Sequence, residues 1–147
     1  MLLDTPGRTL VGRGCALRVR DDGGRAVLTF KGPVVPGILK VREELETEAG
    51  SADRLLAILE ALGFSPIFRY EKRREEHALP GALVAIDETP IGTFVEIEGE
   101  PDAIHAAARR LGCSEADYVT ASYRTLYVAT LAPGVEPGDM VFPDAPR

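Results

Sequence analysis

Charge recurs at every second position in stretches that otherwise read as β-strands: Arg18 and Arg20, Lys40 and Arg42, Glu44 and Glu46, Lys72 and Arg74, Glu96 and Glu98. Successive side chains on a strand point to opposite faces, so each pair projects to one side of a sheet. The other side carries Leu17, Val19, Leu28, Phe30, Val41, Leu45, Val95 and Ile97, a composition that packs against a core. A polar face that gathers several cations and several carboxylates is suited to hold a polyanion together with a divalent metal.

The rest of the chain limits that reading. At 147 residues and 45% hydrophobic content, it has room for one compact domain and too little for two ordinary ones. A formal charge of −6 argues against a general nucleic-acid binder, so the cations act locally. Cys15 and Cys113 form no CxxC and signal neither a disulfide framework nor a zinc site. A reducing cytoplasm is the expected compartment. No leader and no run of about 18 apolar residues marks a membrane protein.

Along the chain, Ala16 to Lys31 reads as a hairpin turning at Asp21-Asp22-Gly23-Gly24. Alternation places Arg18, Arg20, Thr29 and Lys31 on one face. After a loop over 32–37, a strand is expected from Leu39 to Thr47, with Lys40, Arg42, Glu44 and Glu46 on one side. Ser51 suits the N-cap of a helix with Leu55, Ile58, Leu59 and Leu62 at helical spacing, and Gly63 its end. A long strand over Ile67 to Glu76 would then align Phe68, Tyr70, Lys72 and Arg74. Leu83 to Asp87 and Thr93 to Glu98 form a second hairpin that delivers Asp87, Glu96 and Glu98. Pro101 opens a helix with Ile104, Ala107, Ala108 and Leu111 as its buried stripe. Ser114 with Asp117 opens a third, through Leu126. Residues 1–130 are expected to form the functional domain and 131–147 a loose Pro/Gly-rich tail. Strands joined by short loops, with peripheral helices, define an α+β fold with an antiparallel sheet.

Like charges about 5 Å apart on one sheet face repel, so this face needs counter-charge. Seven cations (Arg18, Arg20, Lys31, Lys40, Arg42, Lys72, Arg74) against five carboxylates (Glu44, Glu46, Asp87, Glu96, Glu98) could make an ordinary solvated surface. Their distribution favours more. Basic pairs sit on three separate strands and acids gather toward the last two, which suits cations to phosphoryl oxygens and carboxylates to Mg²⁺ or Mn²⁺. Other candidates are weaker. His77 and His105 stand alone, Cys15 lacks a partner histidine, and Glu96 with Glu98 share a face rather than flanking a sugar.

The ordered stretches LLDTPGRTLVGRGCALRVR, LTFKG, KVREELE, LEALGFSPIFRYEKRR, AIDETPIG and FVEIEG resemble, over about residues 3 to 126, the CYTH superfamily. That superfamily unites class IV adenylate cyclases with thiamine triphosphatases and inorganic triphosphatases, and the DETPIG and VEIEG stretches look most like bacterial members labelled class IV adenylate cyclase. The resemblance implies an antiparallel barrel, the triphosphate tunnel. It makes Arg18, Arg20, Lys31, Arg42, Lys72 and Arg74 phosphate ligands, Glu96, Glu98 and Asp87 metal ligands with Glu44 and Glu46 beside them, and Glu96, Glu98 and Lys72 the catalytic set. The implied activity is metal-dependent processing of ATP, tripolyphosphate or thiamine triphosphate, as a cyclase or a triphosphatase.

The family pattern opens on a strand bearing E-x-E-x-K, whereas Met1 stands almost against the stretch that follows it. The expectation is therefore an open or incomplete barrel, with an edge left exposed or paired in a homodimer, unless the start of the chain lies further upstream. Two alternatives accompany the enzyme reading: a polyphosphate or nucleotide binder with weak or no turnover, and a structural domain that pairs through its open edge.

Overall fold

The computed structural model describes residues 1–143. The chain divides into two compact units, one ending at Arg69 and one beginning at Tyr70. Each has its own antiparallel sheet.

The first unit runs β1 (Leu2–Asp4), α1 (Thr9–Gly12), β2 (Ala16–Asp21), β3 (Ala26–Lys31), β4 (Glu44–Ala49), α2 (Ala52–Ala61) and β5 (Ser65–Phe68). The strands lie in the order β4-β3-β2-β1-β5. The hairpin expected over 16–31 forms, and its register sets Leu17 opposite Phe30 and Val19 opposite Leu28 on one face. On the other, Arg18 faces Thr29 and Thr29 faces Glu46, while Lys31 faces Glu44. The apolar face forms the core: Leu3, Leu17 and Val19 close on Leu59 of α2, with Leu10, Leu28, Phe30, Ala52, Leu55, Leu56 and Phe64 packed around them. Each such leucine contributes about 1.5–3 kcal/mol by leaving water.

Helix α2 starts where Ser51 Oγ accepts the Arg54 backbone N–H at 3.3 Å and ends at Gly63, whose φ of 89° is open to glycine at little cost. Its buried stripe is Ala52, Leu55, Leu56 and Leu59. Ile58 and Leu62, expected in that stripe, are exposed. The sheet covers only one narrow arc of the helix, and these two fall outside it.

Two expected strands are corrected. The strand over 39–47 starts only at Glu44. Before it, Val41 bridges back to Val35 and Gly32 N–H donates to the Glu43 carbonyl at 2.8 Å, so Lys40 and Arg42 belong to an excursion punctuated by Pro33, Pro36 and Gly37. The strand over 67–76 is two strands. β5 pairs with β1 as an edge strand, Leu2 opposite Phe68 and Leu3 opposite Pro66, where proline is tolerated; the chain resumes extended structure at Arg73 in another sheet. Phe68 and Lys72 therefore share no strand face.

The second unit contains β6 (Arg73–Leu79), β7 (Ala82–Thr89), β8 (Gly92–Gly99), α3 (Pro101–Arg110) and α4 (Tyr123–Thr130), with β7 central. Register places Arg74 opposite Asp87, Ala85 opposite Glu96 and Leu83 opposite Glu98 on one face; Ile86 faces Val95 on the other. At Gly99, φ is 151°, and a Cβ there would run into the Gly81 carbonyl oxygen. Only glycine lets the β8 end approach the β6–β7 turn so closely.

Val95, expected on the core side, is 53% exposed, and Ile86 is 38% exposed. In this unit the charged face holds the buried residues Ala85, Asp87 and Thr89. Helix α3 buries Ala107 and Ala108, whereas Leu111 is exposed. The helix expected over 114–126 is interrupted. Ser114 and Asp117 make their capping box, but the turn spans only Glu115–Asp117 and Tyr118 is extended. The β-branched Val119 and Thr120 follow, and Ser122 caps a separate helix by accepting the Thr125 N–H at 3.1 Å.

The expectation of a loose tail fails at Met140, which is 1% exposed and bridges Tyr70; residues 144–147 lie outside the described residues. Neither sheet closes on itself, leaving β4 and β5 as edges of the first and β6 and β8 as edges of the second. The result is the open antiparallel α+β arrangement anticipated from the sequence. Among the described residues, no helix is long and apolar enough to cross a membrane.

Candidate functional site

On the charged face of the first sheet, Thr29 is fully buried between opposite charges. Its hydroxyl accepts from Arg18 Nη2 at 3.2 Å and donates to Glu46 Oε2 at 2.8 Å. Arg18 Nη2 also stands 3.7 Å from Glu46, and Arg20 Nη2 is 4.0 Å from the other oxygen of the same carboxylate. Lys31 Nζ donates to both Glu44 oxygens, at 2.7 and 2.8 Å, and Arg42 Nε donates to Glu44 at 3.2 Å. Arg42 thus joins this cluster from the loop, not from the expected strand. Burial of the Glu44 carboxyl opposes its charge, but hydrogen bonding and attraction from Lys31 and then Arg42 hold it below the usual carboxylate range. Four predicted phosphate ligands are brought together here with both predicted neighbouring acids. The acids remain about half exposed, 44% for Glu44 and 48% for Glu46, so their grip on the cations competes with water.

The second sheet is organised differently. Asp87 is fully buried and its carboxylate accepts from three side chains. Arg74 binds it through two nitrogens, Nε to Oδ1 and Nη2 to Oδ2, each at 2.7 Å. Lys72 Nζ donates to Oδ2 at 2.8 Å and Tyr123 OH donates to Oδ2 at 2.7 Å. Burial opposes the charge, yet Arg74, Lys72 and Tyr123 together hold the Asp87 carboxyl well below its usual range. The Arg74 guanidinium is correspondingly held charged by Asp87, against burial and with help from Glu96 and Glu98. Burial and the donation to Asp87 push the Tyr123 phenol far up, so it stays protonated.

Arg74 continues outward to Glu96, to Glu98 at 3.4 Å and to Glu76 at 3.5 Å. Lys72 reaches Glu96 at 3.6 Å and sits 5.5 Å from the centre of the Tyr123 ring, which Phe94 meets edge-on at 5.3 Å. Lys72, Arg74, Asp87, Glu96 and Glu98 are thus one network.

Among the described residues, no three acidic, histidine or cysteine side chains are grouped to hold a metal. Asp87, which the resemblance gives to the metal, accepts one hydrogen bond at Oδ1 and three at Oδ2, so its charge is engaged by Arg74 and Lys72. Glu96 and Glu98 fit a metal. They project from one face of β8, are 37% and 61% exposed, and a hard cation such as Mg²⁺ commonly takes one or two carboxylates and completes its shell with water and phosphate.

Two residues with clear structural work carried no sequence signal. Tyr123 comes from a helix 36 residues away from Asp87. Asp4, fully buried, accepts the N–H groups of Thr5, Leu10 and Val11 at 2.7–2.9 Å. Burial opposes its charge and those three donors outweigh it, leaving its carboxyl below the usual range; it fixes the start of α1 to β1. Neither lone histidine enters a charged cluster of the sheets. His105 Nδ1 lies 2.9 Å from Tyr118 OH, and His77 is on the opposite face of β6 from Arg74, beside Glu75.

An open antiparallel α+β framework, with one polar face per sheet carrying cations on carboxylate anchors, defines a class of sheet proteins with paired charged faces. The chain belongs to the CYTH family, whose domain model matches residues 2–123. Its sequence is 34% identical over 84 residues to MJ0240 of Methanocaldococcus jannaschii, a protein named as a candidate adenylate cyclase. That match takes in 56% of this chain and 48% of the relative, so the chain spans about half the length of the curated protein it matches.

Among solved structures, PH1819 of Pyrococcus horikoshii superposes with a TM-score of 0.69 at 28% identity, over 88% of this chain and 82% of that one. A protein of Vibrio parahaemolyticus described as a candidate adenylate cyclase superposes at 0.70 with 23% identity, over 85% and 76%. At that identity the likeness is one of fold.

Proposed function

We propose that this CYTH chain binds a triphosphate compound and, with Mg²⁺ or Mn²⁺, cleaves it, either by cyclising ATP or by hydrolysing a terminal phosphate. The observation that carries the proposal is Asp87 with its donors: a buried carboxylate that orients Arg74 and Lys72 before any ligand arrives. Preorganised cations of this kind bind phosphoryl oxygen without first losing side-chain freedom, and they stabilise charge that develops in displacement. Arg18, Arg20, Lys31 and Arg42 serve the same ligand class, exchanging half-exposed glutamates for phosphate. Glu96 and Glu98 are assigned to the divalent ion, which when bound neutralises phosphoryl oxygens and polarises the phosphorus centre. Tyr123 keeps Asp87 anionic and Lys72 in place. The candidate-cyclase name of the M. jannaschii relative supports the cyclase branch for the part of that protein which this chain matches.

A second reading is favoured by the engagement of Asp87 with Arg74, Lys72 and Tyr123 and the lack, among the described residues, of a three-acid cluster: a triphosphate binder with little or no turnover. Incubating the purified chain with ATP, tripolyphosphate or thiamine triphosphate plus Mg²⁺ or Mn²⁺ separates the two. Cyclic AMP with pyrophosphate identifies the cyclase, and free phosphate the triphosphatase. Saturable binding by calorimetry without product identifies the binder; neither binding nor product contradicts both.

A further inference from the structure

Lys72 stands outside the strand ladder. Pairing of β6 with β7 begins at Arg73 opposite Glu88, so no strand register fixes the residue before it. The ladder holds the chain after Lys72, and a segment from near the other end of the sequence, beyond the part matched by the family model, holds it before. Tyr70 forms a parallel bridge with Met140, and Glu71 N–H donates to the Met140 carbonyl at 2.9 Å. Phe142 N–H donates to the Glu71 carboxylate at 3.4 Å, and the Arg73 guanidinium lies 4.5 Å from the centre of the Phe142 ring. Met140 is 1% exposed and anchors the arrangement.

We infer that the segment Met140–Phe142 is a positioning strap for Lys72: by holding the backbone of residues 70 and 71 and packing on the Arg73 side chain, it sets the stretch from which Lys72 reaches Asp87 and thereby tunes affinity for triphosphate. The inference rests on the reading of Lys72 as a phosphate ligand. Its physical basis is that a long, flexible lysine side chain keeps a fixed Nζ position only when its backbone is held as well as its tip.

The test uses the full chain with Met140→Ala, the conservative Met140→Leu, and Phe142→Ala. This last removes the ring over Arg73 while leaving the buried anchor, should Met140→Ala fail to fold. Amide hydrogen exchange over residues 70–73 reads the strap without any ligand, and calorimetry with tripolyphosphate reads its consequence. The expected result is faster exchange and affinity lowered about five- to tenfold in Met140→Ala and Phe142→Ala, with Met140→Leu close to wild type. In a Lys72→Ala background, Met140→Ala should produce no further loss, because the two act through one group.

Unchanged exchange in both alanine variants overturns the strap. So does unchanged affinity, or an affinity loss that persists undiminished without Lys72, provided that Lys72→Ala alone weakens binding. If Lys72→Ala alone leaves tripolyphosphate affinity intact, the phosphate role of Lys72 fails and takes this inference with it.

Discussion

The two charged sheet faces solve the same electrostatic problem in opposite ways. On the first, the carboxylates that hold the cations, Glu44 and Glu46, are about half exposed. On the second, one fully buried carboxylate collects an arginine, a lysine and a phenol, and the acids at the surface act as outer partners of the arginine. The glutamates of the first face stand half in water, so they exchange for another anion at less cost than the fully buried Asp87 does. The second cannot release Asp87 without stranding charge. Each unit thus carries its own kind of cation cluster, adaptable in the first and fixed in the second.

Removing Asp87 should separate the faces most sharply. Asp87→Ala leaves Arg74 and Lys72 without their buried partner and should lower folding stability by about 3–5 kcal/mol, read by denaturant unfolding. A loss as small as that of a surface glutamate would erase the distinction. The pH dependence checks the cause. The native carboxyl titrates below the unfolded value of about 4, so its stabilisation is complete above about pH 5 and falls away as pH drops through the depressed native value. The gap between wild type and Asp87→Asn should accordingly narrow in acid and stay constant from pH 6 to about 8; a gap independent of acid would mean that charge is not what Asp87 supplies.

Paired Glu96→Gln and Glu98→Gln substitutions should reduce metal-dependent turnover about 100-fold, or abolish Mn²⁺-enhanced binding if there is no turnover, with an unfolding midpoint near wild type. A double variant that responds fully to Mn²⁺ would remove these two from the metal assignment. Tyr123→Phe keeps the ring beside Lys72 and loses only the donation to Asp87. About 1 kcal/mol of stability should go, with a modest affinity loss that follows it. The smallest effect belongs to the first face: Glu44→Gln should change stability by less than about 1 kcal/mol. A loss comparable to that of Asp87→Ala would show both faces to be built alike.

What the sequence disclosed, and what it hid, follows the reach of each interaction. Period-2 alternation depends only on neighbouring residues, so the faces of β2, β3, β7 and β8 were legible, as were Ser51 and Gly63 at the ends of α2. Arg42 and Lys72 were recognisable as charged but misplaced on strands. Arg42 hangs from an excursion before β4, and Lys72 from a junction where the chain changes sheet, events that alternation cannot register. The acid of Asp87 is legible but its donors are not, because they include a residue 36 positions away. Met140 was an isolated apolar residue in a Pro/Gly-rich stretch; its burial depends on Tyr70, which no local pattern links to it. The exposure of Val95 escaped for a similar reason: alternation names two faces but not which one the rest of the molecule covers.

Calorimetric titration of tripolyphosphate, with Mn²⁺ present, into the wild-type chain, Arg18→Ala and Lys72→Ala tests the central claim that cations of both faces bind phosphate. The account predicts saturable wild-type binding and a loss of about 1.5–3 kcal/mol in each variant. Absence of saturable binding, or wild-type affinity in both variants, would contradict it.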